Sequence, residues 1–553
     1  MKKGYVSYAF TAIFFIVSMI FIFNYKQTYF GLVFGLIQFA FFFFLMFFIS
    51  GQWLRSLNFA SIVMFILFMI NRLSLYFYRK TLFANDFLVY FNYENWDILT
   101  DFKEIFLAVF AMLIMIGFGV FAYSRHKRSN FKFRLTGLFI AIALVLINTK
   151  LANTDSVKNA WIKTFPELKA TYMNLSMTIG DSASLKYNSP SFANSYQLFQ
   201  DKLNLISDYN GSNLKPNLVL WLQESTIDAS FYKGELAQPD MFKGDFKFKT
   251  LNRVHTFGGR TWKSEFEVLT GLSPDEFNEN SSLIFQYAAP HIKYSLPKIL
   301  KEQGYYTIAL NPYPGSAYNS KNAYKNFGID EYVHPSELQC EGAGNKIKKL
   351  KHITSLQMGK CAQKVFEKYK DKQPLFIYML TINEHAPYDR ADKIEFNLDK
   401  FYKKPQALKL TDYYKRQLEL SKATTDFDSF MQSTDRPYIF AYFGDHQGNM
   451  GLSENDVRLN FNDPLVITGF YVKGSPDIES IKSDFNELGE LSLMPSVLLE
   501  LMQIRPNEFF KAHYAMRKIC GNVDDCKDKE LVKSYKSYLY DYLKDASENL
   551  ENK

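Results

Sequence analysis

The stretch His255-Thr-Phe-Gly-Gly-Arg-Thr-Trp-Lys-Ser-Glu-Phe-Glu-Val-Leu-Thr-Gly271 places two glycines and an arginine directly before Thr261. The run 262–269 has helical character, so Thr261 is predicted at a helix N-terminus. Free backbone N–H groups and the helix dipole favour an anion at such a position. A threonine there also serves as an ordinary N-cap, and the nearby Ser264-Glu265 fits that structural role. The choice between cap and nucleophile depends on whether the rest of the chain supplies a metal, a base and a phosphate-bearing substrate.

Short apolar runs of strand length recur after Pro216, and amphipathic helical stretches separate them. The runs are Leu218–Leu222, Tyr306–Leu310, Leu375–Leu380, Tyr438–Phe443 and Leu465–Val472. This alternation predicts an α/β domain with a mostly parallel central sheet. Binding sites in such sheets lie just beyond the carboxyl ends of the strands.

Ionisable side chains follow three of these runs at or near the point where each run ends. Glu224 follows the first run, His385 comes shortly after the third, and Asp445-His446 follows the fourth. A single Asp-His turn is usually structural, but three such strand ends beside a Gly-Gly-Arg-Thr turn indicate a site. Oxygen ligands with one imidazole suit manganese, magnesium or zinc.

The chemistry that these residues allow is phosphoryl transfer. A bound divalent ion lowers the pKa of the Thr261 hydroxyl and stabilises charge on a phosphoryl oxygen. The expected intermediate is a phosphothreonine, with a nearby histidine as the acid that protonates the leaving alcohol.

The N-terminal part of the chain is rich in phenylalanine and predicts a five-helix transmembrane bundle over residues 1–150. Candidate spans are 5–25, 29–50, 58–77, 105–123 and 133–148. Basic residues concentrate at the N-terminus and in the even-numbered loops, above all at 125–134. The expected orientation therefore has the N-terminus in the cytoplasm and everything after residue 150 outside it.

Beyond the bundle, we expect interfacial linker helices at 151–215, a catalytic domain at 216–520 and a C-terminal tail at 521–553. The formal net charge is +8, without a basic block interleaved with aromatics in the soluble part. This composition argues against nucleic acid as a partner and for a membrane surface.

The four cysteines form two couples that are close in sequence, Cys340 with Cys361 and Cys520 with Cys526. Two disulfides in an oxidising compartment are predicted, and free buried thiols are the alternative.

At these residues the chain resembles the alkaline phosphatase/sulfatase superfamily, in its membrane-anchored transferase branch. That branch includes lipoteichoic acid synthase, phosphoglycerol transferases of osmoregulated glucans and lipopolysaccharide phosphoethanolamine transferases. The segment that begins at His255 looks like the nucleophile segment of lipoteichoic acid synthase, and Gly444-Asp445-His446-Gln-Gly448 looks like its metal-binding turn. The run 491–499 resembles the superfamily's late helix. The resemblance covers almost the whole chain.

The resemblance implies roles for individual residues. One divalent ion, Zn or Mn with Mg as an alternative, would be held by Glu224, Thr261, Asp445 and His446. Thr261 would be the catalytic nucleophile and His385 a catalytic, substrate-side histidine. Substrate contacts would come from Arg260, Tyr318, Lys321 and His385. The segment 317–325 has Tyr318 and Ser320 where lipoteichoic acid synthase has a tryptophan and an arginine that grip glycerol phosphate. No histidine follows His446 until His513, so the second zinc of the lipid A enzymes is not implied.

The function expected from the sequence is transfer of phosphoethanolamine from a phospholipid to an envelope glycan such as lipopolysaccharide core. The site would lie on the periplasmic side of a bacterial inner membrane, since paired cysteines suit a periplasm. Phosphoglycerol transfer to glucans or to a polymer is the alternative. A sulfatase is disfavoured because threonine cannot become formylglycine, and a non-enzymatic sensor is disfavoured because all four metal and nucleophile residues are present.

Overall fold

The structure is a computed structural model that describes two separate units of the chain. Described residues are 11–79 except 21 and 23–28, then 128–154, then 189–547 except 208, 210, 339, 341–352, 373 and 486, with isolated positions between 110 and 187. The units are Met1–Lys186 and Tyr187–Lys553. The domain boundaries expected at 150, 215 and 520 stay predictions.

Three helices in the first unit are long and apolar enough to cross a membrane. They are α1 (Tyr29–Ser50), α2 (Trp53–Tyr78) and α3 (Phe131–Ala152). They coincide with the second, third and fifth predicted spans. The fourth span lies almost wholly outside the described residues. The first is described mainly as a short apolar helix, Thr11–Ile20. The structure therefore shows three of the five expected spans.

Helices α1 and α3 approach each other closely at Gly137. A Cβ at this position would lie 3.1 Å from the Phe47 ring and 3.3 Å from the Phe44 carbonyl oxygen, so only glycine fits without displacement. Near the end of α1, Arg134 donates to the carbonyl oxygens of Phe48 and Ile49 at 2.8 and 2.9 Å. Those carbonyls have no partner within their own helix, and the arginine satisfies them.

The second unit is built on one eight-stranded sheet with the order β4-β3-β5-β1-β6-β7-β2-β8. The strands are β1 (Asn217–Gln223), β2 (Phe248–Arg253), β3 (Tyr306–Leu310), β4 (Glu331–Val333), β5 (Leu375–Leu380), β6 (Tyr438–Gly444), β7 (Ile467–Gly474) and β8 (Leu488–Glu490). The sheet is mixed. The five neighbouring strands β4, β3, β5, β1 and β6 run parallel, whereas β7 is antiparallel to both β6 and β2.

Helices cover both faces of the sheet. They are α4 (Gln197–Leu203), α5 (Thr261–Thr270), α6 (Ile284–Tyr287), α7 (Leu296–Glu302), α8 (Ser320–Asn326), α9 (Ser355–Tyr369), α10 (Lys404–Gln432), α11 (Met494–Leu501), α12 (Glu508–Cys520) and α13 (Lys529–Ser537). On one face, Val219 and Trp221 of β1 pack in a cluster with α9 and α10. Leu218 and Leu220 point to the opposite face and are equally buried. A strand that is buried on both faces has apolar residues at successive positions, and this continuous apolar run is what predicted β1.

The five strands predicted from apolar runs are present, with shifts of one or two residues at their ends. The pattern missed β2, β4 and β8. Strand β2 carries Lys249 and Asn252 and is only partly buried, while β4 and β8 have three residues each. Such strands have too few apolar residues for a run to appear.

Both predicted disulfides are confirmed. Cys340–Cys361 and Cys520–Cys526 join residues 21 and 6 positions apart, with Cα–Cα distances of 5.3 and 5.4 Å. Those distances are normal for a disulfide.

Loop length predicts unequal contributions of the two disulfides to stability. Closing a loop of 21 residues removes more entropy from the unfolded chain than closing one of 6. Replacing Cys340 and Cys361 by serine should cost roughly 3 kcal/mol of unfolding free energy, against roughly 2 kcal/mol for Cys520 and Cys526. Denaturant unfolding of the two double variants would test this, and a larger loss for the shorter loop would contradict it.

Candidate active site

Strand register brings two of the predicted metal ligands to the same level of the sheet. Strands β1 and β6 pair with Gln223 opposite Gly444. The next residue of each strand is therefore Glu224 on one side and Asp445 on the other. Glycine is required at 444, because a Cβ there would lie 1.7 Å from the carbonyl oxygen of Thr226.

The predicted ligands form one buried cluster. Ligand atoms of Glu224, Asp445 and His446 all lie within 4.8 Å of one another. His446 Nε2 is 3.4 Å from Glu224 Oε1 and 3.2 Å from Asp445 Oδ2. The side chain of Thr261 joins them, since its hydroxyl donates to Glu224 Oε2 at 3.1 Å. The four residues that the sequence predicted to hold one metal thus meet at one place.

Hydrogen bonding indicates which ring nitrogen of His446 faces the cluster. His446 Nδ1 lies 3.0 Å from the carbonyl oxygen of Gln447, which can only accept, so Nδ1 carries a ring proton and, in the neutral ring, Nε2 carries the lone pair. His446 Nε2 faces two carboxylates. Among the described residues, His446 Nε2 and Asp445 Oδ2 are buried without a hydrogen-bond partner.

A cation resolves this arrangement. Burial, followed by the charge of Asp445, raises the pKa of Glu224 to about 8. Uncompensated buried carboxylates are costly, and a divalent ion bound by two carboxylate oxygens, an imidazole nitrogen and a hydroxyl removes that cost. The side chains present therefore fit a metal ion.

The turn before Thr261 uses three consecutive left-handed residues. Gly258 and Gly259 have φ values of 69° and 150°, and Arg260 follows at 68°. Glycine takes such values freely, whereas Arg260 adopts them at a cost of about 1 kcal/mol. Helix α5 begins at Thr261, with Arg260 in the capping position. Thr261 is therefore not the N-cap residue.

The far side of α5 carries a second group of ionisable residues, built around His255. Its Nδ1 lies 2.9 Å from Glu267 Oε1, and its Nε2 lies 3.1 Å from Asp524 Oδ2. Both are ordinary lengths for charged hydrogen bonds, and both ring nitrogens face carboxylates. This geometry fits a protonated imidazole that holds α5 against the Cys520–Cys526 loop.

The remaining predicted residues differ in burial and in what they contact. Arg260 is buried beside Thr261. The ring of Tyr318 stacks on Trp262 with centroids 5.1 Å apart. Lys321 is exposed at the start of α8. His385 lies in the loop after β5, where its Nδ1 is 2.6 Å from the carbonyl oxygen of Ala386. The substrate-binding and catalytic roles of these residues stay predictions.

Sequence reasoning missed the residues that hold the ligands in place. Ser225 donates its backbone N–H to Asp445 Oδ1 at 2.7 Å and its hydroxyl to Glu224 Oε1 at 2.8 Å. Ser264 donates to the Asp445 carbonyl oxygen at 2.6 Å. The sequence could have indicated both serines, because Ser225 is adjacent to Glu224 and Ser264 lies one helical turn after Thr261.

Comparisons with known proteins agree with the fold. The sulfatase family profile matches residues 216–480. An uncharacterized protein of Haemophilus influenzae is 31% identical over 556 residues, covering 97% of this chain and 99% of its own length. Lipoteichoic acid synthase of Staphylococcus saprophyticus is 26% identical over 268 residues, covering 45% of this chain and 38% of that enzyme. The structure of the phosphoglycerol transferase GacH of Streptococcus pyogenes, in complex with sn-glycerol-1-phosphate, aligns with a TM-score of 0.52 at 17% identity, over 64% of this chain and 95% of that one.

The second unit combines a mixed α/β sheet with a buried carboxylate–imidazole–threonine cluster. Its residues 216–480 are a domain of the sulfatase/alkaline phosphatase superfamily.

The His255 group makes stability depend on pH. Burial alone would lower the pKa of His255, but the charges of Glu267 and Asp524 outweigh it and raise the pKa well above its usual value. Because the pKa of His255 is raised in the folded state, its contribution to stability is fully present below the unfolded-state pKa of about 6.5. That contribution is lost as the pH rises through the folded-state pKa.

The difference in Tm between wild type and His255→Gln should therefore be largest near pH 6 and shrink at alkaline pH. In Asp524→Asn the loss should begin at lower pH. A difference that stays constant from pH 6 to pH 10 would contradict the imidazolium.

Proposed function

We propose that this protein transfers phosphoethanolamine from a phospholipid to an envelope glycan through a phosphothreonine at Thr261. The observation that carries the proposal is the contact of the Thr261 hydroxyl with a buried cluster that fits a metal ion. In the proposed setting the protein is a multi-pass protein of a bacterial inner membrane with its catalytic unit in the periplasm. Three apolar helices and two disulfides support that setting.

Glu224, Thr261, Asp445 and His446 would hold one divalent ion, Zn or Mn rather than Mg because one ligand is an imidazole. When bound, such an ion lowers the pKa of a coordinated hydroxyl and neutralises charge on phosphorus oxygens. The Thr261 hydroxyl points its proton at Glu224 Oε2, which leaves an oxygen lone pair available for phosphorus.

The first half-reaction forms a bond from Thr261 Oγ1 to phosphorus and breaks the bond from phosphorus to the diacylglycerol oxygen, while the hydroxyl proton of Thr261 passes to Glu224 Oε2. The backbone N–H groups at the start of α5, together with Arg260, face the phosphoryl oxygens. His385 gives its proton to the departing diacylglycerol oxygen. In the second half-reaction the glycan hydroxyl attacks phosphorus and gives its proton to His385, the bond from phosphorus to Thr261 Oγ1 breaks, and Glu224 returns the proton to Thr261.

An aromatic group beside Thr261 favours a cationic head group. Tyr318 stacks on Trp262, and Tyr313 lies edge-on to Tyr318 with centroids 5.3 Å apart. Burial raises the pKa of Tyr313 and of Tyr318, and the negative charge of Glu224 contributes to both shifts, so both rings lie within electrostatic range of Glu224. Aromatic faces near carboxylates bind an ammonium group by cation–π attraction. Ethanolamine carries such a group, and glycerol does not.

Phosphoglycerol transfer is the second candidate, and specific likenesses favour it. The relative from Staphylococcus saprophyticus is a lipoteichoic acid synthase, and GacH was solved with sn-glycerol-1-phosphate. The same nucleophile chemistry serves either head group, so only the head-group contacts differ.

The head group is tested in cells. Deletion of the gene should remove phosphoethanolamine, a group of about 123 Da, from lipopolysaccharide core or from another envelope glycan. Mass spectrometry of lipopolysaccharide and glucans from wild type, deletion and complemented strains measures this. Loss of phosphoglycerol instead would select the second candidate, and unchanged glycans with unchanged polymer would reject both.

The nucleophile is tested by comparing two kinds of variant. Thr261→Ala should fold normally, retain metal through its three other ligands and lose transfer by several orders of magnitude. Asp445→Asn should lose transfer together with bound metal, measured by elemental analysis of the purified protein. Thr261→Ser keeps a hydroxyl and should retain part of the activity. A folded Thr261→Ala protein with near-normal transfer would rule out the phosphothreonine.

A further inference from the structure

The loop 381–390 carries His385 from the end of β5 toward α10. Its beginning is tied to the sheet, because the Thr381 backbone N–H donates to the Leu222 carbonyl oxygen at the end of β1. Beyond that point the loop has no regular secondary structure until α10 begins at Lys404, apart from one turn of 3₁₀ helix at Leu398–Lys400. Something other than a strand or helix must fix the position of His385.

Arg416 of α10 supplies that fixation. Its Nη1 donates to the carbonyl oxygens of Asn383 at 3.1 Å and His385 at 2.8 Å, and its Nη2 donates to that of Pro387 at 2.9 Å. These are alternate carbonyls of one short loop, and His385 is the middle residue. The side chain is 4% exposed, so water does not compete for the donors.

The other donors of the guanidinium anchor it to its own helix. Arg416 Nε donates to Asp412 Oδ1 at 2.8 Å, and Nη2 also donates to Asp412 Oδ2. All five N–H donors of the arginine are therefore used. Asp412 Oδ2 also accepts from the Arg390 backbone N–H at 3.0 Å, so the pair holds the loop at both ends.

The loop held in this way also packs against the metal-binding turn. The guanidinium of Arg416 lies over the ring of Tyr388, 5.4 Å from its centroid. The Tyr388 hydroxyl in turn fills the space beside Gly448, where a Cβ would lie 1.9 Å from it. Gly448 is three residues after Asp445. The same loop thus contacts the Asp445-His446 turn and carries His385.

We infer that Arg416, anchored by Asp412, is a positioning residue that holds His385 in register with Thr261 during transfer. This inference rests on the proposed function for its kinetic test. Its physical basis is that only a guanidinium has a planar fork able to bind three carbonyls and a carboxylate together. Lysine keeps the charge but has three donors and no fixed plane.

The kinetic test uses Arg416→Lys in the full-length protein in detergent, with phosphatidylethanolamine as donor. We expect kcat to fall about 10- to 100-fold with KM changed less than about threefold, because a small displacement of a proton donor slows chemistry more than binding. Arg517→Lys is the matched control. Arg517 is also a fully buried arginine, paired with Glu500 and with Asp484, and it should lower Tm while leaving kcat unchanged.

A double-variant cycle separates positioning from general stability. If Arg416 acts through His385, then Arg416→Lys in a His385→Ala background should lower kcat by less than about threefold. Effects that multiply in full, or Arg416→Lys with wild-type kcat, would overturn the inference.

A readout that does not need activity keeps this inference distinct from the proposed function. Hydrogen exchange of the full-length protein should be faster in peptides covering 383–390 of Arg416→Lys, with exchange in β1 and β6 unchanged. Unchanged exchange in the loop would overturn the positioning role. Absence of transfer by the wild-type protein would reject the proposed function, while the exchange result would still decide whether Arg416 fixes the loop.

Discussion

Three hydrogen-bond acceptors converge in a buried space at the ends of β1 and β6, and the molecule depends on what neutralises them. Two are carboxylates and the third is Nε2 of His446, whose Nδ1 donates to the carbonyl oxygen of Gln447. In the part of the chain that the structure describes, neither His446 Nε2 nor Asp445 Oδ2 has a hydrogen-bond partner. Three features keep these acceptors together: the β1–β6 register, the glycine at 444, and the hydrogen bonds of Ser225 to both carboxylates and of Ser264 to the Asp445 backbone carbonyl.

The group around His255 shows why distance matters as much as residue type. It also combines one histidine with buried acids, and ligand atoms of His255, Glu267 and Glu490 all lie within 4.8 Å of one another. Yet its nitrogen–oxygen distances are 2.9 and 3.1 Å, against 3.2 and 3.4 Å in the cluster at Glu224. The shorter pair matches N–H···O hydrogen bonds with the proton on the ring. In the His255 group the compensating positive charge is on the protonated histidine, whereas the cluster at Glu224 fits a bound cation.

Apolar runs and the residues that follow them were enough to predict the main strands and that Glu224, Asp445 and His446 follow strands of one sheet edge, because parallel strands bring their carboxyl ends together. The capping role considered for Thr261 was wrong, since a left-handed Arg260 occupies that position and sequence does not reveal φ. Arg416 gave no signal at all. It lies 31 residues from His385 and binds backbone carbonyls, which every sequence possesses. The antiparallel β7 was equally hidden, because apolar runs carry no direction.

Both margins of the central sheet end in strands of three residues, β4 on one side and β8 on the other. A long, unpaired margin would offer a row of free N–H and C=O groups to another copy of the chain. Proteins tethered to one bilayer meet each other far more often than proteins free in three dimensions. Short margins, one of which carries Glu331, leave little backbone for such an encounter to extend. The sheet can therefore sit at high surface density without joining its neighbours into a continuous ribbon.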